Sequence, residues 1–320
     1  MKDRFGRSIE YMRISITDRC DLRCRYCMPQ GIEKVGHSDI LSYEDIERIC
    51  EASVGLGITK FKITGGEPLV RLGCSDLVRS IKAIRGVEQV TLTTNGTNLA
   101  RHIDALKDAG IDAVNISLDT MDPEKYRYIT QLGDINRVME GIDAAIASGV
   151  VTKINCVPQR GFSEDEIANF AHFAFDRGID VRFIELMPLG SADASRGISN
   201  KDILDAIKSE FPRLTEDNST HGNGPAVYYN IPGSKGSIGL ISAMHGVFCS
   251  SCNRIRLTSQ GLIKPCLCYE KSIDIRPALA GSMEDIQGKI KEAIMEKPER
   301  HCFINEPDQT DSRSMSEIGG

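Results

Sequence analysis

Two groups of closely spaced cysteines are the residues whose type and spacing could do chemistry in this sequence. The 320-residue chain contains eleven cysteines, which is many for a chain whose first residues do not resemble a secretion signal. The first group is Cys20, Cys24 and Cys27, and the second is Cys249, Cys252 and Cys266. Clustered cysteines in a reducing compartment favour metal or redox chemistry over disulfides. We therefore interpret each group as a candidate metal site.

The first group has the spacing Cys20-x3-Cys24-x2-Cys27. Three thiolates in one short loop can hold three corners of a [4Fe–4S] cluster and leave the fourth iron open to a non-protein ligand. A structural zinc site usually needs four protein ligands, and the nearest further candidate is His37, ten residues beyond Cys27. The spacing therefore favours a cluster, and zinc stays as an alternative.

The second group has the spacing Cys249-x2-Cys252-x13-Cys266 and again lacks an obvious fourth ligand. Arg254 and Arg256 adjoin it, and paired arginines suit an anionic ligand such as a nucleoside triphosphate. No P-loop motif is present, so recognition of phosphate would depend on scattered side chains. A structural zinc knuckle is the alternative.

The remaining cysteines carry weaker signals. We treat Cys268 as a bystander beside the second group. Four others are isolated, and we expect small buried side chains or surface thiols at Cys50, Cys74, Cys156 and Cys302.

The elements that must position these residues alternate between strand and helix patterns. Strand-like segments occur at residues 12–17, 60–64, 89–94, 113–118, 152–157 and 181–186. Such alternation predicts a parallel sheet with right-handed crossovers, and six units are too few for a closed eight-fold barrel. We therefore predict an α/β fold with an open, partial (β/α)6 TIM-like barrel over residues 1–210. Residues 211–320 are predicted to form a smaller α+β domain that completes the site.

Polar residues follow most of the predicted strands, at the end where active sites of such folds lie. The first strand leads into the Cys20 loop, and the second ends in the sequence Gly65-Gly66-Glu67-Pro68. Later strands carry or end near Thr93, Ser117, Lys153 and Met187. Any one of these ends could be ordinary turn chemistry, but their number favours one shared site.

The first cysteine group, with Tyr26 before Cys27 and the Gly65–Pro68 sequence on the second strand, resembles the radical S-adenosylmethionine (SAM) superfamily. Over its whole length the chain resembles the GTP 3′,8-cyclase family of molybdenum cofactor biosynthesis. The segments that carry this second resemblance are residues 13–20, 63–68, 182–187, 249–258 and the terminal pair Gly319-Gly320.

The resemblance implies two [4Fe–4S] clusters and SAM as cofactors. Cys20, Cys24 and Cys27 would bind the first cluster, and Cys249, Cys252 and Cys266 the second, whose open iron contacts guanine. The residues that would line SAM are Tyr26, Gly66, Ser117 and Met187. The residues that would bind GTP are Arg13, Lys62, Thr93, Lys153, Arg182, Arg254, Ile255 and Arg256. The catalytic arginines would be Arg13, Arg254 and Arg256. The terminal glycines would enter the pocket.

The family reaction begins with a 5′-deoxyadenosyl radical that removes the ribose C3′ hydrogen of GTP. Ring closure on C8 gives (8S)-3′,8-cyclo-7,8-dihydroguanosine 5′-triphosphate, the first step of molybdopterin synthesis. The resemblance further implies a flavodoxin- or ferredoxin-type electron donor and a downstream cyclic pyranopterin monophosphate synthase. Whether the protein forms a homodimer stays open. At position 62 the family often has Arg, and Lys62 keeps the charge without the forked contact.

Composition limits the alternatives. The formal charge is −6, which disfavours general nucleic-acid binding, and no apolar run is long enough for a membrane helix, so we expect a cytoplasmic protein. Two other functions stay open: a radical SAM enzyme that modifies peptides with an auxiliary cluster, and a non-enzymatic zinc or iron–sulfur module. Paired Arg254 and Arg256 and the small number of C-terminal cysteines favour the cyclase over the peptide-modifying enzyme, whereas iron and sulfide analysis would separate it from the non-enzymatic module.

Overall fold

The computed structural model describes residues 1–28, 35–190, 192–245, 248–303, 310, 311, 313, 315, 317 and 318. Within these residues, twelve strands form one sheet, accompanied by nine α-helices. The strands are β1 Tyr11–Ser15, β2 Lys60–Thr64, β3 Gln89–Thr94, β4 Ala113–Ser117, β5 Val151–Cys156, β6 Asp180–Ile184, β7 Thr215–Asp217, β8 Val227–Asn230, β9 Ser237–Ile241, β10 Arg254–Leu257, β11 Leu262–Lys264 and β12 Ile273–Asp274. The helices are α1 Tyr43–Val54, α2 Cys74–Ala83, α3 Leu99–Asp108, α4 Pro123–Thr130, α5 Ile135–Ser148, α6 Ile167–Arg177, α7 Asn200–Glu210, α8 Arg276–Leu279 and α9 Met283–Met295.

The sheet has an open edge at each end. Its strand order is β12-β11-β10-β1-β2-β3-β4-β5-β6-β9-β8-β7, and β1 to β6 are consecutive and parallel. Beyond them, β10 pairs with β1 and β9 pairs with β6, both in parallel, and the outer strands are antiparallel. This open α/β sheet confirms the prediction of a partial, unclosed barrel.

The pleat of the central strands separates an apolar face from a polar one. On β2, Phe61 and Ile63 are fully buried in the main hydrophobic core, whereas Lys62 between them lines an internal cavity. On β5, Ile154 is likewise in the core, and Lys153 faces the cavity. Successive side chains of a strand point to opposite faces, so one set packs under the helices and the other is available for chemistry.

Local sequence signals explain where the helices begin. Ser42 caps α1 in a capping box with Asp45, and Asp122 caps α4 by accepting the backbone N–H groups of Glu124 and Lys125. The sequence Asp122-Pro123 is a helix-start signal, but α4 was not predicted because its surface is largely polar. None of the helices in the described part of the chain is long and apolar enough to span a membrane.

Segments beyond residue 210 extend the sheet at both of its ends. They contribute the strands β7 to β12 and the helices α8 and α9, which is the mixture of strands and helices predicted for residues 211–320. Because β9 and β10 join opposite sides of the six parallel strands, this region completes the sheet on both flanks. The domain boundary at residue 210 stays a prediction.

The C-terminal segment is fastened to the loop that carries Cys266. Lys264 and Asp311 form an ion pair with both side chains fully buried, and the Asp311 N–H donates to the Cys268 carbonyl at 2.7 Å. Cys302 forms a disulfide with Cys268. The expectation that Cys302 is isolated and Cys268 a bystander is therefore wrong, because residue 302 returns beside residue 268 after α9. Ile318 is buried near this pair, and the predicted Gly319-Gly320 insertion lies outside the described residues.

Replacing Lys264 with Ala should lower the free energy of unfolding by about 2 kcal/mol, because it removes the buried cation of the Asp311 carboxylate and leaves only the partly exposed Arg313 paired with it. Urea unfolding of the apo-protein measures this change. The matched control is Lys201→Ala, which breaks an exposed Lys201–Asp205 pair and should cost less than about 0.5 kcal/mol. Equal effects of the two substitutions would contradict the anchoring role.

Candidate functional site

The first cysteine loop leaves the carboxyl end of β1 and folds back on itself. The backbone N–H groups of Cys27 and Met28 both donate to the Cys24 carbonyl, at 3.0 and 2.7 Å, which makes a tight turn between the second and third thiols. Burial raises the pKa of Cys20 to about 12 and that of Cys24 well above its usual range, and neighbouring thiols add to both shifts. Three such thiolates repel one another unless a cationic core lies between them, which fits an iron–sulfur cluster.

The glycine sequence after β2 packs directly on this loop. A Cβ atom on Gly66 would lie 2.2 Å from the Arg19 carbonyl oxygen, so only glycine allows the two backbones to meet. Here Gly66 N–H donates to the Thr17 carbonyl and Glu67 N–H to the Arg19 carbonyl, both at 2.7 Å. Gly66 therefore holds the second loop against the cysteine loop, and its contact with SAM stays a prediction.

Glu67 and Asp21 link the loop to β3, and the sequence analysis assigned a role to neither. Glu67 is buried and accepts hydrogen bonds from Thr94 Oγ1 and Asn95 N–H, both at 2.7 Å. Burial raises its pKa to about 7, although these donors partly offset the effect. Asp21 accepts the Asn95 side-chain amide at 2.7 Å and Thr97 Oγ1 at 2.6 Å. Asn95 and Thr97, which lie just after β3, therefore fix Asp21, the residue that follows Cys20.

Tyr26 is positioned from the end of β4. Its hydroxyl donates to Asp119 Oδ2 at 2.5 Å, and the other oxygen of Asp119 accepts Val157 N–H at 2.9 Å. Burial, and then the charge of Asp119, raises the pKa of Tyr26 well above its usual range, so the phenol stays protonated. Ser117 is half-buried two residues before Asp119, at the carboxyl end of β4. Two of the predicted SAM residues thus lie on elements joined by one hydrogen bond.

A cavity of about 610 Å³ occupies the polar face of the sheet. It gathers six of the eight predicted GTP residues, namely Arg13, Lys62, Thr93, Lys153, Arg182 and Arg254. The loop that contains His221 and Asn223, to which the sequence analysis assigned no role, forms part of its wall. Of the other two, Arg256 lines the neighbouring cavity, and the side chain of Ile255 lies in the hydrophobic core.

The cations in this cavity outnumber the anions that face them. Burial lowers the pKa of Lys62 well below its usual range, and the charges of Arg182 and Arg13 lower it further. Burial, followed by Arg13 and Arg254, similarly lowers the pKa of Arg256. Lys62 has no hydrogen-bond or ion-pair partner within the described ranges, and the buried Nε atoms of Arg182 and Arg254 have no acceptor there. Such a cavity fits a polyanionic ligand.

Two of the cations already have protein partners. Lys153 Nζ donates to Asp180 Oδ2 at 2.6 Å and to the His221 carbonyl, and Arg182 donates to Asn115 Oδ1. His221 also contacts Asp180, through Nδ1 at 3.1 Å. These contacts hold the two cations in place at the wall of the cavity.

The second cysteine group lines a smaller cavity of about 170 Å³. Cys249, Cys252 and Cys266 are half-buried there, and Met187, the fourth predicted SAM residue, lines the same cavity. Burial raises the pKa of Cys252, but the charges of Lys297 and Arg254 outweigh it, so the net pKa lies below its usual range. The set thus contains one thiol that the surrounding charges favour as a thiolate ligand.

The two cavities share part of their walls. Arg13 and Arg254 line both, as do Ile184 and Ile241. A molecule long enough to reach from one cavity to the other would therefore pass between two cations. In the described residues, no three His, Cys, Asp or Glu side chains are grouped to hold a single metal ion.

Two family models match this chain and together span most of it. Residues 14–174 match the model described as the radical SAM superfamily, and residues 179–303 match molybdenum cofactor synthesis C. The first match contains the Cys20 loop and the second contains all three cysteines of the second group.

Proteins named GTP 3′,8-cyclase are similar to the chain over its whole length. The proteins from Alkaliphilus oremlandii and Moorella thermoacetica are 47% and 45% identical, with 100% of this chain and of each relative covered. The protein from Clostridium perfringens is 42% identical with the same coverage.

Solved structures with related folds are more distant in sequence. Streptococcus suis SuiB has 14% identity and a TM-score of 0.67, with 95% of this chain and 75% of SuiB covered. Native anSMEcpe with bound AdoMet has 18% identity and a TM-score of 0.61, with 92% and 82% covered. At these identities the likeness concerns the fold alone.

Replacing Lys62 with Met should raise the free energy of unfolding of the apo-protein by about 1 kcal/mol near neutral pH, because it removes an unpartnered cation from the cavity. Since the pKa of Lys62 is lower in the folded than in the unfolded state, the gain should shrink as the pH rises from that lowered value towards the ordinary lysine value. Urea unfolding at several pH values measures both effects.

The control is Lys60→Met on the same strand, where the lysine faces Glu10 and Glu88 at the surface. The Lys60→Met protein should show no gain in the free energy of unfolding. A Lys62→Met protein that is less stable than the wild type at neutral pH would contradict the account of the cavity.

Proposed function

This chain belongs to the GTP 3′,8-cyclase family of radical SAM enzymes, and from that premise we infer how its residues carry out the family reaction. The enzyme converts GTP to (8S)-3′,8-cyclo-7,8-dihydroguanosine 5′-triphosphate, the first step of molybdenum cofactor biosynthesis. The observation that carries the residue assignments is the pair of adjoining cavities, one lined by cations and the other by three thiols.

We propose that the larger cavity holds the triphosphate of GTP. Lys62, Arg182 and Arg254 offer donors that no described residue accepts, and a triphosphate supplies acceptors for all of them. Lys153 and Arg13 add charge to the same wall. Binding would relieve the repulsion among these cations, so the stability lost in assembling them is recovered when the substrate arrives.

The guanine is proposed to lie in the smaller cavity. Cys249, Cys252 and Cys266 would hold a second [4Fe–4S] cluster whose open iron meets the base, and Phe248 and Phe303 supply apolar surface there. Arg13 and Arg254, common to both cavities, would sit beside the ribose. A nucleotide fixed at both ends has its ribose restricted to one orientation, which is the main contribution a protein can make to such a reaction.

Cys20, Cys24 and Cys27 are the proposed ligands of the SAM cluster. When bound, the cluster and SAM supply the 5′-deoxyadenosyl radical that takes the C3′ hydrogen. The chain's own part is to place SAM: Tyr26 is held by Asp119, and Gly66 keeps the second loop against the first. The Glu67 and Asp21 contacts then prevent the cysteine loop from shifting.

The two alternative functions lose their support. Identity of 42–47% over the full length to proteins named GTP 3′,8-cyclase favours neither a peptide-modifying enzyme nor a zinc module. The electron donor of flavodoxin or ferredoxin type, the downstream synthase, a homodimer and cytoplasmic location stay predictions.

Anaerobic incubation of the reconstituted protein with SAM, GTP and dithionite tests the assignment. We expect 5′-deoxyadenosine and a cyclised nucleotide in equal amounts. In Arg256→Ala the cyclised nucleotide should fall more than tenfold, because a buried cation of the smaller cavity, beside the proposed position of the nucleotide, is lost. If the wild type forms 5′-deoxyadenosine without any cyclised nucleotide, the assignment to the radical SAM superfamily still holds, but the assignment of GTP as the substrate is refuted.

The affinity for GTP should decrease with rising pH before the range in which an ordinary lysine titrates is reached, because burial and the neighbouring cations lower the pKa of Lys62 and it loses its proton earlier. Calorimetric titration of the anaerobic protein should show a dissociation constant that grows several-fold by about pH 9.5. In Lys62→Arg the dependence should flatten, since a guanidinium keeps its proton more firmly. Guanosine, which lacks the triphosphate, should show no such trend, and an identical trend for guanosine would exclude Lys62 as its source.

A further inference from the structure

Two buried cations meet the second thiol set from outside its cysteines. Lys297 follows α9 and is 2% exposed, and Arg7 near the N-terminus is 8% exposed. Neither residue belongs to the sequence motif that identifies the set. Both fasten the segment at residues 297–299 to the segments that carry the thiols.

The ammonium group of Lys297 joins two segments that carry cysteines. Its Nζ donates to the Arg254 carbonyl and to the Pro265 carbonyl, both at 2.8 Å, and Lys297 lines the same cavity as the three thiols. Arg254 lies two residues after Cys252, and Pro265 immediately precedes Cys266. Lys297 therefore sets the separation of two cysteine-bearing segments.

Arg7 makes an equivalent connection to the third cysteine. Its Nη1 donates to the Cys249 carbonyl at 2.9 Å and to the Glu299 carbonyl at 3.0 Å, and Nη2 donates to the Pro298 carbonyl at 2.7 Å. Asp3 holds the guanidinium through Nε at 2.6 Å. The segment after α9 is thus bonded to the neighbourhood of all three thiols, through one lysine and one arginine.

Of the two cations, Lys297 is the one that lines the cavity of the three thiols. A buried cation beside ligand sulfurs stabilises the negative charge there, and net charge is one of the factors that set the reduction potential of iron–sulfur clusters. The two carbonyl contacts define the position of Nζ, so its effect on the thiol set is part of the fold and does not depend on a mobile side chain.

We propose that Lys297 is a positioning residue of the second thiol set, which it assembles by bridging the Cys252 and Cys266 segments, and that its buried positive charge beside the thiols raises the reduction potential of the cluster held there. This inference rests on the proposed second cluster. It predicts that neutral side chains at position 297 weaken cluster retention and shift the potential of any remaining cluster to more negative values.

The test uses the full chain with Cys20, Cys24 and Cys27 replaced by Ala, so that only the second set can bind iron. After anaerobic reconstitution, this background should hold about four irons per chain. Lys297→Met should retain less than half of that iron. Lys297→Gln, which keeps two N–H donors but no charge, should retain more iron and show a more negative midpoint potential in a redox titration followed by EPR. The matched control is Lys291→Met, at an exposed lysine of α9, which should behave as the background.

A second measurement needs no change at position 297. Labelling the background with lysine carrying ¹⁵N at Nζ should produce a ¹⁵N coupling to the reduced cluster in pulsed EPR, and this coupling decides the matter if the substituted proteins fail to fold. If the protein with Cys20, Cys24 and Cys27 replaced by Ala binds no iron, both the second cluster and this inference are overturned. A background with about four irons, no lysine coupling, and unchanged iron and potential in Lys297→Met would overturn the role of Lys297 and leave the cluster standing.

Discussion

The repulsion among cations inside the sheet is the constraint on which the rest of the structure depends. Lys62, Arg182 and Arg254 point into one cavity, and the pKa of Lys62 is lowered by burial and by its neighbours. The charge is tolerated because the opposite face of the same strands is fully apolar, with Phe61, Ile63 and similar residues in the core. Burial of the apolar face stabilises the fold, whereas the repulsion on the cation face destabilises it. A polyanionic substrate supplies the missing counter-charge.

The strand order explains why two cysteine groups far apart in sequence serve one substrate. The first loop leaves the carboxyl end of β1, whereas the second group enters the amino end of β10, which pairs with β1 in parallel. The thiols of the two groups therefore lie toward opposite ends of the β1–β10 pair. Arg13 and Arg256 are register partners between them. A nucleotide bound along this pair can be contacted by both groups at once.

Much of this arrangement could be predicted from the sequence. Cysteine spacing and βα alternation identified the open sheet and both thiol groups, and the family resemblance implied six of the residues that line the cation cavity. Contacts that arise only in three dimensions could not be predicted: Asp119 beneath Tyr26, the disulfide between Cys268 and Cys302, and Lys297 beside Cys252. Each joins residues that are more than 30 positions apart and belong to no local motif, so neither periodicity nor spacing indicates them. Asp119 had a weak signal, since it follows Ser117 at a predicted strand end.

We propose that the ribose of GTP, held between the two cavities, faces the first site. Incubation with SAM and GTP deuterated at C3′ tests this orientation. If C3′ faces the first site, 5′-deoxyadenosine should carry deuterium in an amount equal to the cyclised nucleotide formed. Cyclised nucleotide accompanied by unlabelled 5′-deoxyadenosine, or labelled 5′-deoxyadenosine without any cyclised nucleotide, would contradict it.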